Sequence, residues 1–283
     1  MLVAYQGVPG AYSEKAARAL FPGCRTLPCA TFAEVFAAVE SRRADAAAVP
    51  VENSLAGSIH ENYDHLARHA LKVVGETYVR VEHALMAPKD ARLKDIREVR
   101  SHPQALAQCA GFFAANKNVR PVTWYDTAGA ARDLAESPEP GVAAIASEAA
   151  AAIYGLRILK RRLQDRRLNF TRFLAVTRGS SRAQPTTGDA KAPRKTSLTF
   201  IPLRNRPGVL HAVTGVFASR GIDLTKIESR PDPDNPFDYR FYLDAAGNAK
   251  EAPLKDALAE LKKLSRELRV FGSYPAGKLS KSK

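Results

Sequence analysis

Cysteine is scarce. Cys24, Cys29 and Cys109 are odd in number, and none stands at the spacing of a metal knuckle or a redox pair. That excludes a disulfide-stapled scaffold and a cysteine-built zinc site, and the three read as reduced, half-buried side chains. Long apolar runs are missing too, and the start, Met1 to Gly7, has neither the basic nor the apolar region of a secretory signal. No membrane partner is expected, and the default location is cytoplasmic. Acidic residues are outnumbered, 29 against 43 Lys and Arg, for a net charge of +14. The excess is spread along the chain, and no module carries a basic stripe interleaved with aromatics, so no nucleic-acid partner is expected.

What is present is length and one repeated unit. A chain of 283 residues exceeds what a single core organises, so two or three domains are expected. Leu2 to Tyr5 reads as an apolar strand, Gly7 to Gly10 as a tight loop, and Ser13 as the cap of a helix reaching Leu20. This form can cradle an anion on backbone N–H groups, although the full dinucleotide fingerprint is absent. Thr31 and Glu34 make a capping box. Ala46 to Val51 reads as a strand buried on both faces. It ends in Glu52-Asn53-Ser54, which places Asn53 and Ser54 at the carboxyl end of the sheet, where open α/β folds bind ligands.

Val73 to Pro88 reads as a long strand, or a pair, crossing to another lobe, where the unit repeats. Glu98 to Arg100 leads to Ser101 as cap with Pro103 in the first turn; Gln104 and Gln108, four apart, share a face able to reach a ligand at Ser101. Val122 to Tyr125 leads to Thr127, and Val142 to Ala146 leads to Ser147. Two α/β lobes facing each other across a cleft lined by helix N-termini follow. His65 and His69 are four apart but lack a third ligand at the required spacing, so they read as a helix face and no metal is expected.

From Arg157 to Arg172 seven cations face one acid, Asp165. Such a run suits either a solvated basic face or an anionic substrate. It ends in Asn169-Phe170-Thr171-Arg172-Phe173, where Arg172 could fork onto a carboxylate and Thr171 could donate or accept one hydrogen bond more. The strand that follows is expected to return to the first lobe. The first lobe is then about 1–77 with 160–177, and the second about 78–159. Residues 178–195 have linker composition. Residues 196–275 follow the order βαββαβ of a ferredoxin-like fold, which by itself is silent on function. Residues 276–283 read as a disordered tail.

Several segments are together specific: Val3 to Gly7 with Gly10 to Glu14, Val49 to Ser54, Ser101 to Cys109, Tyr154-Gly155-Leu156, and Asn169 with Thr171-Arg172-Phe173. Through them nearly the whole chain resembles the prephenate dehydratase family. Through Arg206 to His211 and Glu228 to Pro231 its last domain resembles an ACT regulatory domain. The resemblance implies a two-lobed, periplasmic-binding-protein-like catalytic domain, monofunctional because no chorismate mutase segment precedes it, followed by an α+β ACT domain. It implies that prephenate loses its ring hydroxyl and carbon dioxide to give phenylpyruvate, with no cofactor.

In that frame Thr171 assists the departing hydroxyl and Arg172 holds a carboxylate. Asn53, Ser101 and Gln108 fix the substrate, with Ser13, Ser54 and Gln104 as further contacts and Phe173 as a wall; Glu52 is the alternative acid. L-Phenylalanine is the implied effector, at Gly208, Val209, Leu210 and His211 with Glu228, Ser229, Arg230 and Pro231, between the subunits of a homodimer or homotetramer. His211 stands where an aliphatic residue is usual. Arogenate, the amino analogue of prephenate, is an alternative substrate, and a non-catalytic small-molecule sensor is an alternative class.

Overall fold

The computed structural model describes residues 1–179, 181, 183–186, 192–232 and 235–279. The chain begins with β1 (Leu2–Gln6), α1 (Tyr12–Leu20), β2 (Arg25–Cys29), α2 (Phe32–Glu40), β3 (Ala46–Asn53), β4 (Gly57–Ser58), α3 (His60–Arg68) and β5 (Leu71–Arg80). It crosses into β6 (Ala84–Ala87), β7 (Glu98–Ser101), α4 (Pro103–Ala107), α5 (Ala110–Ala115), β8 (Arg120–Thr123), α6 (Thr127–Glu136), β9 (Val142–Ala146), α7 (Glu148–Tyr154) and β10 (Arg157–Lys160), and returns in β11 (Phe170–Arg178). One sheet has the order β2-β1-β3-β11-β5 with β4 paired to β3; the other has the order β10-β6-β9-β7-β8. The crossings therefore fall at 81–83 and 161–169, a few residues from the expected lobe boundaries.

Small residues let these sheets be covered on both faces: β9 is buried throughout, and so is β3 except at Glu52. Caps set the helix starts. Thr31 Oγ accepts the Glu34 N–H at 3.2 Å and Glu34 accepts from Ala30, while Ser147 Oγ accepts from Ala150 at 3.1 Å. Three caps differ from expectation. Pro103 holds the preceding residue extended, so His102, not Ser101, caps α4, with Nδ1 accepting the Gln104 N–H. Asp126, not Thr127, caps α6 through the Gly129 N–H at 2.7 Å. Ala11 precedes α1, leaving Ser13 inside its first turn.

The third unit runs β12 (Arg194–Pro202), α8 (Val209–Ala218), β13 (Leu224–Asp232), β14 (Asn235–Ala246), α9 (Leu254–Leu264) and β15 (Ser265–Pro275), with strand order β13-β14-β12-β15. This is the expected βαββαβ domain. One face of its sheet is covered by α8 and α9. The other is pressed onto the first lobe: Tyr242, Phe271 and Tyr274 share one core with Tyr63, Val73, Leu174 and Val176. The approach is close enough that a Cβ on Gly272 would lie 1.9 Å from the Val73 carbonyl oxygen.

Part of the expected linker also packs on this lobe, since Ala183 joins its core and the Thr186 N–H donates to Leu20 O at 2.9 Å. The expected tail lies outside the described residues from 280 onward, and so do 180, 182 and 187–191 of the linker. Among the described residues no helix is long and apolar enough to cross a membrane, and no cluster of side chains is arranged to hold a metal. Cys24, Cys29 and Cys109 are free thiols, all buried. His65 and His69 stack on Phe36 and lie beside Glu61 and Glu40.

Candidate active site

The site forms where β11 leaves the hinge. In the ladder Thr171 stands opposite Asn53 on one side and Val79 on the other. Side chains on a strand alternate between faces, and this decides the fate of the Thr-Arg-Phe triplet. Thr171 reaches the cleft. Phe173, on the same face but one step deeper, is 1% exposed and packs with Val3, Ala17 and Leu20 beneath α1, so it is core rather than a cleft wall.

Arg172 faces the opposite way, toward the ACT sheet. Its Nε donates to Glu76 at 2.7 Å, Nη1 donates to Asp244, and Nη2 donates to Tyr274 Oη at 3.1 Å. Burial works against this charge, but Asp244, Tyr274 and Glu76 outweigh it and hold the guanidinium pKa well above its usual value. The expected carboxylate fork is therefore occupied by the protein's own acids. Glu52, the alternative acid, pairs with Arg172 in the ladder and lies 3.5 Å from Lys226 Nζ on the ACT side.

At the cleft a chain of amides ends on Thr171. Asn53 Nδ2 donates to Thr171 Oγ1 at 3.0 Å, to Asn169 Oδ1 at 2.8 Å and to Phe170 O at 3.2 Å. The orientation of this amide is set by its oxygen, which accepts the N–H groups of Leu55 and Ala56. Asn169 Nδ2 donates to Gln108 Oε1 at 2.8 Å, and His83 Nε2 lies 2.9 Å from the same oxygen. An amide oxygen only accepts, so Nε2 carries the imidazole proton and Nδ1 is left as an acceptor, buried without a partner. Burial holds the His83 pKa below its usual value, against Gln108, so the ring is neutral near pH 7. With one lone pair of Thr171 Oγ1 occupied by Asn53, its own O–H is free to donate into the cleft.

The walls around this network are Tyr12, Val81, His102, Gln104, Ala105 and Thr127, and none of the described lining residues is Lys or Arg. The start of α6 beside Thr127 is already met by the protein's own Asp126 carboxyl, which accepts the Gly129 N–H. Tyr12 donates to Glu82 O at 2.5 Å, and burial raises its pKa, so it stays a phenol. Burial lowers the His102 pKa against the pull of Asp126, and raises that of Asp126.

Ser54 fixes the segment before Thr171: its Oγ accepts the Phe170 N–H at 3.0 Å and its N–H donates to Phe170 O at 2.8 Å. Ser101 is fully buried and donates to Ile145 O at 2.6 Å, tying β7 to β9 and not reaching the cleft. Ser13 is buried in α1. Across the hinge the lobes touch closely. Ser147 Oγ donates to Gly10 O at 2.6 Å, and a Cβ on Gly10, whose φ is +88°, would stand 2.8 Å from Ala150 Cα.

So the structure brings Asn53, Gln104, Gln108 and Thr171 to one cleft and leaves Ser13, Ser101, Arg172 and Phe173 out of its wall. Tyr12, His83, His102 and Thr127 were not singled out from the sequence as site residues. His83 lies in the stretch read as the lobe crossing, and a polar ring at a hinge was the available signal.

The two expected effector segments separate within one chain. Gly208, in the left-handed region, starts α8, where Val209 lines a cavity of about 440 Å³ with Leu203, Arg204, Arg206, Val213 and Leu264; Leu210 and His211 are on the same helix. On β13, Glu228 accepts from Ser58 Oγ at 2.6 Å and sits 3.2 Å from His60 Nε2, and Arg230 donates to Asp64 at 3.0 Å. Ser229 and Pro231 alternate outward.

A protein of Arabidopsis thaliana named arogenate dehydratase/prephenate dehydratase 2, chloroplastic, is 45% identical over 96% of this chain and 72% of its own length. The prephenate dehydratase of Arthrobacter aurescens, solved in complex with L-Phe, superimposes with a TM-score of 0.87 at 31% identity, covering 97% of this chain and 90% of that one. A structure described as a novel type of quorum quenching acylase matches with a TM-score of 0.86 at 38% identity, over 98% of both chains. The family model for prephenate dehydratase matches residues 3–181 and that for the ACT domain matches 198–265. On that match, and on the two-lobed cleft beside a βαββαβ unit, the chain belongs to the prephenate dehydratase family and carries a C-terminal ACT domain.

Proposed function

We propose that this lyase converts prephenate into phenylpyruvate, carbon dioxide and water, for phenylalanine biosynthesis. The observation that carries the reading is the Asn53 to Thr171 bond of 3.0 Å, which leaves the threonine O–H directed at the cleft. As the ring C–O bond breaks, the oxygen takes the pair and a proton that comes from solvent, with Thr171 donating to it as charge grows. The electron pair of the ring carboxylate bond enters the ring as carbon dioxide departs, and aromatisation drives the step. A threonine hydroxyl is a weak acid, but a positioned donor stabilises charge growing on the leaving oxygen. The described wall around Thr171 has no Lys or Arg, which suits decarboxylation there, because a carboxylate clamped by cations holds its electron pair more tightly; Lys15 and Arg80 line the adjoining pocket that shares Tyr12. No cofactor enters the scheme. Phenylpyruvate formation by the purified protein, lost in Thr171→Ala with the fold retained, is the expected result; full turnover by that variant refutes the assignment.

Arogenate is an equally supported substrate, since the plant relatives carry both names; the ratio of kcat/KM for the two decides. Phenylalanine as effector rests on the ACT match and on the L-Phe complex of the Arthrobacter protein. It predicts that activity depends on phenylalanine and that light scattering gives a homodimer or homotetramer. A cytoplasmic location goes with this reading, and a fluorescent fusion reports on it. The acylase likeness supports a second reading, hydrolysis of an acyl amide in the same cleft. Among the described residues no histidine is hydrogen-bonded to Thr171, which favours elimination. Release of an amine from an N-acyl substrate, with neither dehydration observed, would reverse that order; stabilisation by either substrate without product would favour a sensor.

A further inference from the structure

The elimination leaves one feature unused: a closed ionic cluster directly behind Thr171. Glu76, on β5, is fully buried and accepts from Arg172, from Lys195 Nζ at 2.8 and 3.1 Å and from the Gly277 N–H at 2.9 Å. Asp244, on β14, accepts from Arg172 and from Ser197 Oγ, and the Tyr274 hydroxyl bridges Ser197 and Arg172. Two buried carboxylates meet two cations, contributed by strands of both the catalytic lobe and the ACT sheet, with the partly exposed Glu52 at the edge, 4.0 Å from Arg172 Nη1. Removing one member of such a buried set leaves a neighbour unpaired, so the set holds its geometry tightly.

Its place in the ladder gives that rigidity a purpose. Arg172 pairs with Glu52, and the next residue, Phe173, pairs with Pro50, so the β3–β11 register shifts between them. Pro50 has no N–H to donate at that point. The pairing that sets Thr171 opposite Asn53 therefore lies one residue from the ladder's irregularity, where bulges re-aim side chains.

We infer that Asp244 of the ACT sheet is a positioning residue for the elimination, acting through Arg172 to hold β11 so that Thr171 Oγ1 stays on Asn53. This rests on the reading of Thr171 as the donor. The ACT domain then supports the catalytic geometry within its own chain, whether or not an effector is bound, and Arg172 serves the reaction without touching substrate.

The test uses the full-length protein and whichever of prephenate and arogenate it turns over. In Asp244→Asn and in Arg172→Lys, kcat is expected to fall about 10- to 100-fold, the scale set by a misplacement near 1 Å, with KM changed less than about threefold. Because the two act as one unit, the double variant is expected to lose no more than the worse single one. A kept kcat with a KM raised about 100-fold in Arg172→Lys would return the guanidinium to the substrate and overturn the proposal. A lower melting temperature with unchanged kcat would also overturn it, leaving a purely structural cluster. If Asp244→Asn does not fold, Tyr274→Phe removes one bond to Arg172 without stranding a charge; a threefold or greater loss of kcat is expected, and unchanged kcat overturns the proposal. If the unaltered protein turns over neither substrate, the elimination reading itself has failed and this inference with it.

Discussion

Exchanging Asn53 for Asp tests the amide chain at its decisive link. The replacement preserves shape and keeps an oxygen for the Leu55 and Ala56 N–H groups, but turns Nδ2 into an acceptor facing Thr171 Oγ1, Asn169 Oδ1 and Phe170 O. The three bonds made by that nitrogen are lost, and the Thr171 hydroxyl now donates to the new carboxylate instead of the substrate. An active-site donor aimed at developing charge is worth about 10²- to 10³-fold in kcat, so Asn53→Asp is expected to fall that far, as Thr171→Ala does. The stability cost is smaller, about 1–3 kcal/mol for a buried acceptor left facing acceptors. The new carboxyl is poorly solvated and hence reluctant to ionise; once protonated it again offers a donor. Activity relative to the unaltered protein is therefore expected to recover partly as pH falls. The assay is the rate of phenylpyruvate or phenylalanine formation across pH, with denaturant melts in parallel. Turnover within about threefold of the unaltered protein, against the donor worth above, would refute the claim that Asn53 directs the threonine proton.

Gly272→Ala puts a methyl group 1.9 Å from the Val73 carbonyl oxygen, so the ACT sheet must back off; a stability loss of about 3 kcal/mol or more is expected in urea melts, above ordinary overpacking. His83 is held below its usual pKa by burial. Both states are neutral at high pH, and as pH falls through about 6.5 the unfolded chain gains a proton first, so stability drops until the folded pKa is reached. His83→Gln is expected to remove that part of the slope when urea midpoints at pH 7.5 and about 5.5 are compared. Phe173→Leu is expected to cost about 1–2 kcal/mol as a core cavity with KM unchanged, whereas a cleft wall would raise KM.

Much of the architecture could be read from local chemistry. The all-buried runs at β3 and β9, the caps at Thr31 and Ser147, and the return of β11 follow from residue type and place. Asn53, Gln108 and Thr171 were legible because polar groups at strand and helix ends face a cleft. Ser101 failed because Pro103 moves the cap to His102 and frees the serine to bond Ile145. Arg172 turns from the cleft by a rule already in hand, since neighbours on a strand face opposite ways, whereas Phe173 shares the face of Thr171 and lies deeper, under α1. The partners of Arg172 lie 96 and 72 residues away, beyond any local pattern. Their trace in the sequence is faint, because the strands that hold Glu76 and Asp244 also carry Lys72, Arg80, Asp238 and Arg240.

The basic run that first pointed to an anionic substrate needs another place in the scheme. Arg157, Lys160, Arg161, Arg162, Arg166 and Arg167 are all exposed, and Arg172 alone is buried, where it faces the ACT sheet. Yet the segment from Leu163 to Asn169 forms the cleft's hinge: Leu163 N–H donates to His83 O, Gln164 accepts the His83 N–H, and Asn169 enters the amide chain. Six exposed cations therefore precede or flank that hinge in the sequence, two of them paired with Glu148 and Glu82, while the described wall around Thr171 has none. Exposed charges attract a dianion from a distance and are screened by salt with a Debye length of about 10 Å at 0.1 M, whereas the neutral donors within are not. Raising the ionic strength is then expected to lower kcat/KM several-fold and leave kcat unchanged, and Arg166→Gln with Arg167→Gln should flatten that dependence. A kcat that falls in step with kcat/KM would mean that charge acts at the reacting atoms, and the separation between a cationic approach and a neutral cleft would have to be abandoned.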